Sequence, residues 1–191
     1  MLFAYETNRL HLEILKQDRA EQVLDFYLRD KALFERYETD RAENFYTQKY
    51  QKQVLAFEYN MALQGSLFRF YVYEKNNPGQ IVGTICFHHI ERGCFSSCEV
   101  GYKFSSAVHH RGYATEALGL VLRLIFGEMG IHRVTALVQP DNEPSIRLLE
   151  RMGFSCEGVC RGYLWAYGQW RDLIRFGMLA TDQFSDISHI Q

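Results

Sequence analysis

Val108-His109-His110-Arg111-Gly112-Tyr113-Ala114-Thr115-Glu116-Ala117-Leu118 is the stretch on which the reading of this chain turns. A strand-like run ends just before it at Phe104. A helix of apolar periodicity leaves it, from about Thr115 to Met129, with Leu118, Val121, Leu122, Ile125 and Phe126 as its buried stripe. A tight turn carrying Arg111 and Gly112 therefore stands at a helix start. The first amides of a helix lack helical acceptors and lie at the positive end of its dipole, so an anion is stabilised there. Gly112 has no Cβ and lets a ligand approach the backbone, or lets the chain take a positive φ. The expectation is a diphosphate cradle over Arg111 to Thr115, with the Arg111 guanidinium as a nearby cation.

Working outward, Cys98 to Phe104 reads as a strand, preceded by a hairpin of Leu67–Glu74 and Gln80–Ile90 across the turn signal Asn76-Asn77-Pro78-Gly79. Leu10, Leu12 and Ile14 alternate with polar residues as a first half-buried strand. Asp18 is a candidate cap for a helix ending near Arg29, with Ala20, Val23, Leu24 and Tyr27 inward. Residues 33–38 form an aromatic and charged connector. A second helix follows from about Asn44 to Gln64, whose many rings either cover a sheet edge or also wall a cleft. Downstream, His132–Val138 is reached through a helix and so is expected to run parallel to the strand ending at Phe104. A short helix from about Pro144 to Met152 and a hairpin of Cys156–Ala166 with Trp170–Leu179 complete the series, and the polar tail after Ala180 is expected to be mobile.

A chain of 191 residues, 47% hydrophobic, suits one well-buried domain spanning residues 1–191. Its 21 basic and 23 acidic residues are intermixed, for a net charge of −2, which argues against a dedicated nucleic-acid or membrane-surface protein. The N-terminal run has the pattern of neither a secretory signal nor a membrane span, so a cytoplasmic location is expected. Five cysteines, an odd number without a Cys-x-x-Cys pair, make no disulfide framework or structural zinc site. His88-His89 and His109-His110 are each adjacent pairs. Adjacent strand residues point to opposite faces, so no metal is expected.

The order of elements and the motif His109-His110-Arg111-Gly112-Tyr113-Ala114 resemble the GNAT superfamily of acyl-CoA-dependent N-acyltransferases. The superfamily pattern Q/R-x-x-G-x-G/A is met at Gly112 and Ala114, whereas His109 replaces its first residue. Further matches are Glu99-Val100-Gly101-Tyr102-Lys103-Phe104 upstream, Asn142-x-x-Ser145 at a helix start, and Glu150-Arg151-Met152-Gly153-Phe154 at its end. Over nearly the whole chain the sequence is similar to the RimJ/RimL branch, the ribosomal-protein N-terminal acetyltransferases. Phe34-Glu35, Glu91-Arg92-Gly93-Cys94-Phe95, Tyr163-Leu164 and Gly168-Gln169-Trp170-Arg171-Asp172 carry that likeness. The resemblance implies an α/β (α+β) GNAT fold. Its sheet is mixed but mostly antiparallel, of about seven strands, with helices on both faces and a central parallel pair splayed around the cofactor.

It also implies acetyl-CoA as cofactor, with His109, His110, Arg111, Gly112, Tyr113, Ala114 and Thr115 around its diphosphate and Tyr102, Lys103 and Phe104 along its pantetheine arm. Asn142 either bonds that arm or caps the helix before Pro144. An amine acceptor must lose a proton before attack, and Glu99 is the candidate base; the alternative is a solvated or ion-paired strand residue. An N–H near Phe104 is a candidate oxyanion donor. Many members carry a Tyr four residues after the Ser145 position as acid. That position is Leu149 here, so Ser145 is the candidate substitute unless it is a plain helix residue, and Tyr163 is a further candidate. Phe34, Tyr37 and Tyr163 are candidate acceptor contacts. Acceptors left open are a protein or peptide N-terminus and a small amine, for which Glu35, Glu38, Asp40 and Glu43 offer an acidic lining; a non-catalytic acyl-CoA sensor is the alternative of another class. Monomer and homodimer are both open.

Overall fold

The computed structural model describes residues 2–182. An eight-stranded sheet runs in the order β1-β2-β3-β4-β5-β6-β8-β7. The strands are β1 (Ala4–Glu6), β2 (Leu10–Glu13), β3 (Phe68–Glu74), β4 (Asn77–Glu91), β5 (Ser97–Phe104), β6 (Arg133–Val138), β7 (Ser155–Ala166) and β8 (Gln169–Leu179). All neighbours are antiparallel except β5 and β6. The count exceeds the expected seven by β1, whose three residues are too few to show a period.

Two layers of helix cover the sheet, and the alternation of β3 shows how. Phe70 and Val72 join a core with Leu118, Val121, Leu122 and Ile125 of α4 (Tyr113–Gly127) and Leu149 of α5 (Glu143–Arg151). Tyr71 and Tyr73 point the other way, into a core with Val23, Phe26 and Tyr27 of α1 (Ala20–Arg29), Phe34 of α2 (Lys31–Glu35) and Leu55 of α3 (Gln48–Leu63).

Several expected boundaries move for local reasons. Asp18 lies inside a 3₁₀ turn at Gln17–Arg19 and caps nothing; α1 starts after it with no side-chain cap. The connector at residues 33–38 overlaps the end of α2. Helix α3 begins at Gln48 instead of Asn44 because Thr47 is its N-cap, accepting from the Tyr50 amide at 3.2 Å. The β3–β4 turn falls at Lys75-Asn76, and Asn77-Pro78-Gly79 belongs to β4. The last hairpin turns on Tyr167 and Gly168, with φ of 51° and 75°, as a two-residue hairpin loop of the primed type requires. The expectation of a mobile tail falls, for residues 183–191, outside the described residues.

The feature that positions the site is the parallel pair. β5 and β6 are paired only at Ser97↔Arg133, Cys98↔Val134 and Glu99↔Thr135, although β5 continues to Phe104 and β6 to Val138. The expected splay is therefore present, and its fork lies at Glu99.

Candidate active site

The turn that ends the fork is built for an anion. Gly112 stands at the N-cap of α4 with φ 76°, and His110 also lies at positive φ, 62°. The first helical hydrogen bond is given by Glu116 to the Gly112 carbonyl at 3.0 Å. The amides of Gly112, Tyr113, Ala114 and Thr115 have no backbone partner among the described residues. Four unspent donors at a glycine-opened helix start fit a diphosphate.

The cation expected of Arg111 is committed elsewhere. Its Nη1 pairs with Glu74 at 2.7 Å, and its Nη2 donates to the Tyr113 hydroxyl at 2.8 Å. On the same turn, Glu116 accepts from the Thr7 hydroxyl at 2.5 Å and from Arg9 Nε at 2.6 Å, while Arg9 Nη1 donates to the Arg111 carbonyl at 3.0 Å. Both guanidinium carbons lie 4.7 Å from the Tyr113 ring centroid. Arg9, Glu74 and Glu116 thus hold the turn from behind. No motif marks them, because Arg9 and Glu116 are 107 residues apart in sequence. Burial alone would raise the Glu116 carboxyl, but the hydrogen bonds of Thr7 and Arg9 hold it below the usual range.

Along the fork, strand geometry sorts the three arm candidates. The Ser105 amide donates to Val82 of β4 at 2.8 Å, so on this antiparallel edge the Phe104 and Tyr102 main-chain groups face the gap toward β6. Those of Lys103 face β4, which corrects the expectation that it lines the arm. The Lys103 side chain projects to the α1–α3 face, paired with Glu38 and near the Tyr27 ring. Phe104 is fixed by Gly83, where a Cβ would overlap its ring, and its carbonyl meets His109 Nε2 at 3.2 Å. His109 therefore ties the turn to the strand end, and its exposed neighbour His110 carries the strained φ.

Opposite the fork, Asn142 caps α5 by accepting from the Ser145 amide at 3.3 Å. Ser145 Oγ lies 2.7 Å from the Tyr102 hydroxyl, and Leu149 is fully buried in the core. Burial pushes the Tyr102 hydroxyl well above the ordinary tyrosine range, partly offset by the Ser145 hydrogen bond. A tyrosine from β5 thus meets Ser145 at the start of α5, a contact that the spacing of the sequence does not announce.

On the α1–α3 face of the fork, Glu99 shares a pocket with His89, Glu91, Thr135 and Arg175. These surroundings are polar, lined mainly by charged and hydroxyl side chains. Glu99 Oε2 is 3.3 Å from His89 Nδ1 and 4.0 Å from His88 Nδ1. Burial, then the His89 charge, lowers the pKa of His88. The expectation that adjacent histidines diverge is overturned. A register shift between His88 and Glu91, with His89 at φ 49°, brings the two rings to a centroid separation of 4.6 Å.

The acceptor candidates separate by exposure. Phe34 is a core residue packed 5.0 Å from Phe26, so its ring serves the fold. Tyr37 is half-buried beneath Arg36, and Tyr163 is exposed on β7. The acidic connector is largely spent: Glu35 accepts from Tyr46, Glu38 pairs with Lys103 and Arg41, and Asp40 accepts from the Tyr167 amide. Asp30, at the α1–α2 junction, accepts from the Ser106 amide and hydroxyl at 3.1 and 2.6 Å and so anchors the loop after β5. No helix of the described residues is long and apolar enough to cross a membrane.

Known proteins agree with this geometry. Residues 9–155 match the acetyltransferase (GNAT) domain family. The [ribosomal protein uS5]-alanine N-acetyltransferase of Escherichia coli (strain K12) is 30% identical over 177 residues, 92% of this chain and 90% of that protein. Among solved structures, the ribosomal-protein-S5-alanine acetyltransferase from Vibrio fischeri superposes with TM-score 0.88 at 27% identity, covering 94% of this chain and 97% of that one. Mycobacterium smegmatis RimJ, solved in complex with CoA-disulfide, gives TM-score 0.83 at 25% identity over 90% of this chain and 82% of its own. The likeness to the RimJ/RimL branch is borne out, and the chain belongs to the GNAT acetyltransferase family.

Proposed function

We propose that this chain is an acetyl-CoA-dependent N-acetyltransferase whose acceptor is a protein or peptide N-terminal α-amine of the ribosomal-protein type, attacked directly in a ternary complex. The observation that carries the reading is the fork, with Glu99 at its last paired position on one face and Tyr102–Ser145 on the other. Acetyl-CoA supplies the activated acetyl group. The Gly112 to Thr115 amides bind its diphosphate, and the main-chain groups of Tyr102 and Phe104 hold the arm in the gap. Glu99 takes the proton of the acceptor ammonium, directly or through water, and His89 at 3.3 Å passes it to solvent. Tyr102, hydrogen-bonded to Ser145, gives its proton to the departing thiolate and regains one from the second proton that the acetylated nitrogen releases on becoming an amide. The buried cysteines have no part in this route: the Cys86 and Cys98 thiols are pushed up to about 11 and about 12 by desolvation.

An α-amine at a protein terminus is preferred over a small polycation for two reasons. Three of the four acidic connector residues are already paired within the chain. The rim beyond the fork instead offers exposed aromatics, Tyr163, Trp165, Tyr167 and Trp170, which suit a polypeptide surface. The test is acetyl transfer, counted by mass, to ribosomal-protein N-terminal peptides beside polyamines, amino acids and aminoglycosides. Peptide kcat/KM should exceed that of every small amine by at least about tenfold, or about 1.4 kcal/mol. A reversed order overturns the acceptor, and tight CoA binding without transfer to any amine overturns catalysis.

A further inference from the structure

We propose that His88, His89 and Glu99 form a binding site for one divalent transition-metal ion of the zinc type on the α1–α3 face. The three side chains bring their donor atoms within 4.8 Å of one another. The spacing approaches that of a coordination polyhedron. A tetrahedral zinc with bonds of about 2.0–2.1 Å has donor-to-donor edges of about 3.3 Å. His88 Nδ1 to His89 Nδ1 is 3.3 Å and His89 Nδ1 to Glu99 Oε2 is 3.3 Å, so two edges match. The third, His88 Nδ1 to Glu99 Oε2, is longer than such an edge at 4.0 Å.

The backbone is shaped to make this triangle. On a regular strand His88 and His89 would face opposite sides. The irregularity between His88 and Glu91 turns them together, with a non-glycine residue at φ 49°. The fourth position opens to the pocket shared with Glu91 and Arg175. Two carboxylates, Glu91 and Glu99, against one guanidinium leave that pocket anionic. Imidazole with carboxylate selects Zn²⁺, Co²⁺ or Ni²⁺ over Mg²⁺ and Ca²⁺, which favour all-oxygen sites.

The ion would occupy the oxygen assigned above to the acceptor's proton, and so inhibit transfer. That consequence rests on Glu99 being the base; the binding itself does not. The full chain, stripped by chelator, is titrated with Co²⁺ and then Zn²⁺. Expected are one Co²⁺ per chain with the visible bands of four-coordination, their bleaching by Zn²⁺, and at least a tenfold weaker affinity in His89→Ala. His89 is 72% exposed, so that variant should keep its fold, which circular dichroism checks. His132→Ala, an exposed histidine outside the triangle, should bind as before. Absence of saturable binding up to millimolar ion, or unchanged affinity in His89→Ala, overturns the site. Acetylated peptide counted by mass under saturating Zn²⁺ should fall at least tenfold and recover with chelator. Undiminished product with the ion bound keeps the site and overturns Glu99 as the base, so the two readings fail separately.

Discussion

The Tyr102 hydroxyl and Ser145 Oγ, 2.7 Å apart, join β5 to the first turn of α5 across the open arm of the fork. With Leu149 buried at the position where the superfamily resemblance implies a tyrosine, this pair is the proposed proton source for the leaving thiolate. Tyr102→Phe should lower kcat by on the order of 10²-fold with acetyl-CoA KM little changed. Ser145→Ala should cost less, and the double variant should be no slower than Tyr102→Phe, because the two act as one unit. Steady-state kinetics decide; multiplicative losses would mean two independent roles.

Glu99→Gln tests the other side of the fork. The amide keeps the shape and removes the base, so turnover near neutral pH should drop by roughly 10²- to 10⁴-fold while acetyl-CoA affinity, read by calorimetry, stays. The residual rate should climb with pH as free amine replaces ammonium. A rate unchanged at neutral pH removes Glu99 from the mechanism.

Gly112 separates backbone strain from ligand space. An added Cβ would lie 3.5 Å from Arg9 Nη2, an ordinary contact, so the internal cost of Gly112→Ala is that of φ 76°, about 1–2 kcal/mol. Its acetyl-CoA affinity should fall too, and Gly112→Trp should abolish binding by filling the cradle. A lowered Tm with calorimetric affinity intact would show that the glycine serves only the turn.

What the chain disclosed of itself follows from the range of the forces involved. Helix α4, strand β6 and the last hairpin announce themselves because period and punctuation are local, and the turn at Gly112 is a contiguous motif. The parallel pair follows from a helical crossover. His88 and His89 misled because the bulge that co-orients them is set by pairing with β5, invisible in a strand read alone. Lys103 misled because edge polarity depends on which neighbour pairs with it. Tyr102 is legible as a backbone partner, whereas its proposed role as an acid is not, since its hydroxyl gains meaning only from Ser145, 43 residues on.

The clamp behind the turn makes acid stability a readout. Glu116 has its carboxyl held below the usual 4.5, so it contributes stability above that pH, lost as pH falls through its lower folded-state value. The group is partly solvated, so screening limits the effect to about 1 kcal/mol, or about 2–4 °C in Tm. Glu116→Gln should lower Tm at pH 7, and the gap to the parent should close below pH 4.5. A gap of constant size down to the acid limit would show that shape, not charge, is what Arg9 and Thr7 recognise.

The exposed hairpin gives the sharpest measure of acceptor class. Trp165 and Trp170 are 51% and 63% exposed, with ring centroids 5.4 Å apart, on the strands whose turn is tied to Asp40 of the connector. Large rings left in water contribute little to folding, so replacing both with alanine should cost no more than about 1.5 kcal/mol, the upper worth of an aromatic pair. A whole-protein acceptor has surface enough to cover them; an isolated N-terminal tetrapeptide or a free amine does not. The double variant should therefore raise KM for a folded protein acceptor at least about tenfold, the loss of one anchoring contact of about 1.4 kcal/mol. It should leave KM for the tetrapeptide and for acetyl-CoA, and kcat for both acceptors, near the parent values. An equal rise for tetrapeptide and protein would place the rings at the amine pocket itself, and no rise for either would remove the hairpin from acceptor recognition.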